Sequence, residues 1–233
     1  NGSGYWLDRT VNQVKNDAGT VVASGEIEVN TSKVHIKSRS QAVDNLVYDG
    51  IRGATVDIRT NQTFAEVTTA SSVASFNSDG FTIGSYVNIN NNTSTYIAYQ
   101  TLYTHIAWGV TSQGKFQIEA YNPVTDEGMI YYIGSGTAGH ELSHSMGVEI
   151  DWSYGKQLDS TSLDGHWRGY AVGYEHYLNL TNAFSPSSRF VMEKDSIVLG
   201  ADTNGYGLNY IDSENIMYYK CKSETFTIGT YTG

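Results

Sequence analysis

The 233-residue sequence predicts an all-β protein built from two tandem, related β-sandwich domains. Three observations carry this: period-2 alternation along several segments, turn formers at short intervals, and an internal repeat offset by about 120 residues. The composition agrees, with 18 Tyr, 24 Gly and only 2 Pro setting strand and turn chemistry against almost no helix signal.

In chain order, Gly25–Asn30 and Lys33–Lys37 alternate apolar and polar residues, as half-buried strands do. Thr55–Arg59 and Lys115–Glu119 follow the same rule. Asn77-Ser-Asp-Gly80 reads as a hairpin turn in which Gly80 takes a positive φ, with flanking aromatics packing inward. Asn16-Asp, Asn122-Pro123, Asp164-Gly165 and Asn204-Gly205 mark further turns. Helix candidates are few: Thr69–Phe76 is short and uncapped, and His140–Ile150 is the one segment with a case.

The repeat is legible in several elements in the same order. Phe81-Thr-Ile-Gly84 answers to Ile197-Val-Leu-Gly200, and Val47-Tyr-Asp-Gly-Ile-Arg-Gly53 to Arg168-Gly-Tyr-Ala-Val-Gly173. Asp57–Asn61 answers to Leu178–Asn182, and Tyr96-Ile-Ala-Tyr99, expected as a buried strand, to Ile216-Met-Tyr-Tyr219. The expected domains are residues 1–112 and 113–233. The opening Asn1-Gly-Ser-Gly and the closing Phe226–Gly233, which repeats Phe116/Ile118/Tyr121, are expected of a piece of a longer chain.

Composition also excludes. A formal net charge of −10 argues against a nucleic-acid binder, and the alternating Lys33, His35, Lys37 and Arg39 read as a solvated face. No apolar run reaches the ~20 residues of a spanning helix. The lone Cys221 excludes an internal disulfide and any all-cysteine metal site.

One motif points to catalysis. His140-Glu141-Leu-Ser-His144 matches HExxH, in which two His on one helix face ligate zinc and the Glu acts as general base. Ile216-Met-Tyr-Tyr219 then resembles a Met-turn. Against this, Ile150 stands where the metzincin third ligand belongs, and Gly134, Gly136 and Gly139 precede the would-be helix. The alternative reading, a secreted zinc metalloprotease with His140 and His144 as ligands and Glu141 as base, therefore ranks second. The carboxylates Asp44/Asp49 and Asp202/Asp212 have no reason to converge as a glycosidase pair.

Phe76-Asn-Ser-Asp-Gly-Phe-Thr-Ile-Gly84, with Val34–Arg39, Val47–Gly53, Asn88–Tyr99, Gly134–Gly139 and His144–Val148, resembles a structural repeat of tailed-bacteriophage virion proteins. The resemblance covers residues 34–102 and, more loosely, 131–233. It implies concanavalin-like (jelly-roll type) sandwiches in a fibre, tail or capsid-surface component located in the virion. It also implies no catalysis, cofactor or metal. Its partners would be other virion subunits, as a homo-oligomer, with a host-surface glycan as a further contact. A carbohydrate-binding module acting alone is a third reading, served by Tyr stacking and Asn amides.

Overall fold

A computed structural model of the chain describes residues 5–159, 168–171, 174–177, 185–186, 189–203 and 207–223. The described residues are all-β, without helix. The first half runs β1 (Tyr5–Asp8), β2 (Gln13–Asn16), β3 (Val21–Val22), β4 (Gly25–Ser38), β5 (Leu46–Asp49), β6 (Gly53–Arg59) and β7 (Val67–Thr68). It continues with β8 (Val73–Asn77), β9 (Gly80–Ile83) and β10 (Tyr96–Val110). Then come β11 (Phe116–Asn122), β12 (Glu127–Ile133), β13 (His140–Ser143), β14 (Ile150–Gln157) and β15 (Arg168–Ala171). The last strands are β16 (Tyr174–Tyr177), β17 (Ser185–Pro186), β18 (Phe190–Met192), β19 (Ser196–Leu199) and β20 (Glu214–Cys221).

Twelve strands form one antiparallel sheet in the order β17-β16-β15-β14-β20-β12-β11-β10-β4-β5-β6-β7. Read outward from its middle, the sheet says the same thing in both directions. The run β10-β4-β5-β6-β7 is matched by β20-β14-β15-β16-β17, and the β8–β9 hairpin by β18–β19. Gly84 and Gly200 hold equivalent places, each donating its N–H at 2.6 Å to the residue before its hairpin, Ser72 and Arg189.

The pairing registers correct the repeat by one residue. Val34 and Ile36, opposite Gln100 and Ala98, pack with Tyr96 on the hairpin side of the sheet, as Met217 and Tyr219 do in the second half. Tyr99 therefore shares the face of Tyr218 and not of Tyr219. A one-residue slip exchanges the two faces of a strand, so the correction matters. The two strands also differ in burial: Ile216–Tyr219 is buried throughout, whereas Ile97–Tyr99 is exposed. The segments 178–182 and 226–233, and the turns expected at 164–165 and 204–205, lie outside the described residues.

The sheet does not lie flat. β5 and β20 stand five strands apart, which would separate them by about 24 Å in a flat sheet. Instead Tyr218 Oη reaches Asp49 Oδ2 at 2.7 Å, and Lys33 Nζ reaches Tyr154 Oη at 3.3 Å. The sheet therefore folds over on itself, and the two halves face each other across a shared core. That core joins Val47 and Ile58 to Ile118, Met129, Ile216 and Tyr218. Alternation sends the neighbouring residues outward into two satellite cores. Val34, Ile36, Leu46 and Tyr48 pack under the β8–β9 hairpin. Ile130, Tyr132, Met217 and Tyr219 pack under the β13-β19-β18 sheet. The expected boundary between residues 112 and 113 falls in the turn of the β10–β11 hairpin, whose strands pair from His105↔Tyr121 to Val110↔Phe116.

Two local readings change. Gly25–Asn30 and Lys33–Lys37 form one strand, β4, and Lys33 is not solvated: its ammonium lies over the rings of Tyr154 and Tyr218 at 5.6 and 5.0 Å. The Phe76–Gly84 hairpin forms as expected, with Phe76 opposite Phe81, but Gly80 pairs with Asn77 inside the ladder and has no positive φ.

Candidate functional site

The HExxH segment carries the second-ranked, metalloprotease reading, and its backbone bears on it directly. His140–Ser143 is a strand, paired with β19 from His140↔Leu199 to Ser143↔Ser196. Four residues of helix advance about 6 Å, which brings two His to one metal, whereas four extended residues advance about 13 Å. The residues around it explain why strand wins. Gly136, Gly139 and Gly147 all take positive φ, near 75°, 75° and 63°, interrupting any helix on both sides.

His140 and Ser143 are bound into the fold, whereas Glu141 is held only through its backbone, its carboxylate having no partner among the described residues, and His144 Nδ1 is buried without one. His140 is fully buried. The Asn209 amide gives its two protons to Thr137 O (2.8 Å) and Gly200 O (2.7 Å), so its Oδ1 is an acceptor, and His140 Nδ1–H donates to it at 2.7 Å. The Thr111 hydroxyl then donates to His140 Nε2 at 2.8 Å. Both ring nitrogens are consumed, and burial lowers the imidazole pKa, which keeps the ring neutral. His144 contacts Glu193 O through Nε2 at 3.3 Å and sets its ring against Tyr219 at 5.7 Å. Ser143 exchanges two hydrogen bonds with the Gln117 side chain, at 3.1 and 2.8 Å.

The carboxylate beside this segment is Glu119, which sequence reasoning did not single out. It sits 1 % exposed on β11 and accepts from Ser145 N (3.0 and 3.1 Å), Ser145 Oγ (2.7 Å) and Tyr219 Oη. Burial raises its pKa, while the three donors pull it back. Its arrangement is that of a pin, joining β11, β20 and the chain after β13. Among the described residues no three His, Cys, Asp or Glu converge as a metal site requires. Asp44 pairs with Arg59 (2.9 Å) and Asp49 with Arg52 (2.6 Å), while Asp212 pairs with Lys115 (2.6 Å) and Asp202 accepts from Gly207 N (2.6 Å). Each of those carboxylates is thus held by a donor of its own. Cys221 is buried and its thiol is pushed up to about 12 by burial, which leaves it unreactive.

A concave feature among the described residues lies elsewhere. A cleft of about 590 Å³ opens between β1, the middle of β4, the β5–β6 turn and β10. Its walls carry three aromatic rings, Tyr5, Trp6 and Trp108, the first and last with centroids 5.3 Å apart. Trp108 is held by donating Nε1–H to Val22 O at 3.2 Å. Lys15 stands over the Trp6 ring at 5.2 Å while paired to Asp8 at 2.6 Å. At Gly50 the β5–β6 turn approaches β4 so closely that an added Cβ would lie 1.7 Å from Thr31 Oγ1.

The cleft floor is ionic, with two guanidiniums set among three carboxylates. Arg52 donates to Asp49 through both its backbone N–H (2.9 Å) and Nε (2.6 Å). Arg9 bridges Glu66 (2.6 Å) and Glu214 (2.9 Å), which ties β1 to both halves of the sheet. Glu28 and Asn30, exposed on the wall, have no side-chain partner among the described residues. Residues from four distant stretches build this cleft, and no spacing in the sequence marks it.

Comparison with curated proteins and with solved structures gave no match. A family description covers nearly the whole length, residues 8–233. The chain belongs to the family described as a domain of unknown function (DUF7483).

Proposed function

We propose that this protein is a non-catalytic structural component of a bacteriophage virion, in a fibre, tail or capsid-surface position. It acts by assembly with other virion subunits and by surface display. In this reading its halves are two related concanavalin-like sandwich units, a duplicated unit joined through the middle of one sheet. The observation that carries it is the repeated pairing order, β10-β4-β5-β6-β7 against β20-β14-β15-β16-β17. The engagement of both His140 ring nitrogens and of the Glu119 carboxylate in bonds of the fold supports the non-catalytic part. Purified phage particles carrying the chain test it: resolution of the chain in the particle at a fixed copy number is the expected result. Peptidase activity lost on Glu141→Gln would overturn it.

The cleft favours a second element, contact with a host-surface glycan. Aromatic faces beside an unpartnered amide and carboxylate are what a sugar ring needs for stacking and hydroxyl hydrogen bonding. A glycan array with the wild-type chain and Trp6→Ala checks this. Binding that survives Trp6→Ala places the contact elsewhere, and this element of the reading falls.

A further inference from the structure

The two halves match in strand order but not in what covers them. By register, Ile97, Tyr99, His35 and Lys37 of the first half answer to Ile216, Tyr218, Tyr154 and Lys156 of the second. In the second half three of the four are sealed, and Tyr154 is partly buried against the central core. Ile216 and Tyr218 are 0 % and 1 % exposed, and Lys156 donates to Thr63 O at 3.0 Å. The strand edge is sealed too, since β12 pairs Tyr131 with Ile216 and Met129 with Tyr218. In the first half Ile97 is 37 % and Tyr99 62 % exposed. Pairing of β10 with β11 begins at His105, so among the described strands the far edge of residues 96–101 has no ladder partner. Beyond that stretch the Leu102 carbonyl is taken by Asn122 Nδ2 at 3.0 Å.

Edges meant to stay solitary are blunted by Lys, Pro or a bulge. Tyr96-Ile-Ala-Tyr-Gln-Thr101 contains no charge, no Pro and no Gly, and the bulge of β10 comes later, between Tyr103 and His105. This edge is built to be paired. We propose that a second copy of this chain docks on it, the two β10 edges pairing antiparallel about a twofold axis. The partner is a second copy because the edge meets its own requirement: an antiparallel twofold pair is self-complementary. The second half already shows the finished arrangement, with an antiparallel strand of the same chain along the equivalent edge. The inference rests on the assembly reading for its biological sense, but its test needs no phage particle.

Sedimentation equilibrium of the purified chain from about 1 to 100 μM is the direct measurement. The expected result is a monomer–dimer equilibrium, with the double variant Ile97→Lys/Tyr99→Lys weakening dimerisation at least tenfold. Both positions are exposed, so the variant should keep the wild-type circular dichroism. An independent readout is amide hydrogen exchange of the wild type: residues 96–101 should exchange more slowly at high than at low concentration. A monomer over the whole range, or dimerisation unchanged in the variant together with concentration-independent exchange at 96–101, overturns the interface. Either result leaves the particle copy-number test of the virion reading untouched.

Discussion

Tyr218 Oη donates a 2.7 Å hydrogen bond to Asp49 Oδ2, joining residues 169 positions apart. The same carboxylate is held by Arg52, whose side chain is itself fully buried. This bond closes the fold of the sheet, because it links the middle of β20 to the end of β5 across the central core. Burial and the Asp49 charge both keep the phenol protonated, with its pKa well above the ordinary value. Replacement by Phe removes the donor and leaves a buried carboxylate one partner short. The expected loss is about 1.5–3 kcal/mol of unfolding free energy. Urea denaturation measures it; a loss below about 0.5 kcal/mol would mean that the closure does not depend on this bond.

The hairpin glycines should respond in opposite ways. A Cβ on Gly84 would stand 2.3 Å from Ser71 O, a backbone atom that cannot step aside, whereas a Cβ on Gly80 meets nothing within 4 Å. Gly84→Ala should cost at least 2 kcal/mol or prevent folding, while Gly80→Ala stays within ~0.5 kcal/mol of wild type. Thermal unfolding of the two variants side by side decides it.

Lys156 is fully buried, and desolvation lowers its pKa to about 8. Between pH 8 and the unfolded value near 10.4 the unfolded chain binds more protons than the native one, so this group makes stability rise with pH across that window. Below pH 8 both states are protonated and the slope vanishes. Above pH 10 the buried tyrosines, which keep their protons longer than unfolded ones, drive stability down. Cys221, whose thiol is pushed up to about 12, opposes this from about pH 8.5 upward, so Lys156→Met should make urea midpoints fall more steeply than wild type between pH 8 and 10. Parallel profiles for the two proteins would mean that Lys156 does not titrate in that window.

The His140 ring should stay neutral below pH 6.5 and in the Nδ1–H tautomer. Carbon–nitrogen correlation NMR of the imidazole reads both properties directly. Addition of zinc should leave its resonances in place, since Asn209 and Thr111 occupy the two nitrogens. A zinc-dependent shift of both His140 and His144 would reopen the peptidase reading.

Much of the strand framework was legible. Alternation located β4, β6 and β11, the Asn77–Gly80 turn located the β8–β9 hairpin, and the repeat matched Gly84 with Gly200. The glycines before the HExxH segment, read in the sequence as evidence against a helix, are where the strand is set, since Gly136 and Gly139 take positive φ and His140–Ser143 is extended. The cleft was illegible for a different reason. Trp6, Asn30, Arg52 and Trp108 belong to separate strands, and only pairing distances bring them together.

The sequence by itself determined the class of fold, the presence of two similar halves and the location of the hairpins. These are properties of side-chain period and turn chemistry, which act over a few residues. Tertiary structure alone decided the register between the halves, the burial of Tyr218 against the exposure of Tyr99, and the neutral, fully bonded state of His140. Those depend on how a twelve-stranded sheet bends, and the bend is set by contacts such as Asp49–Tyr218 that no local pattern encodes.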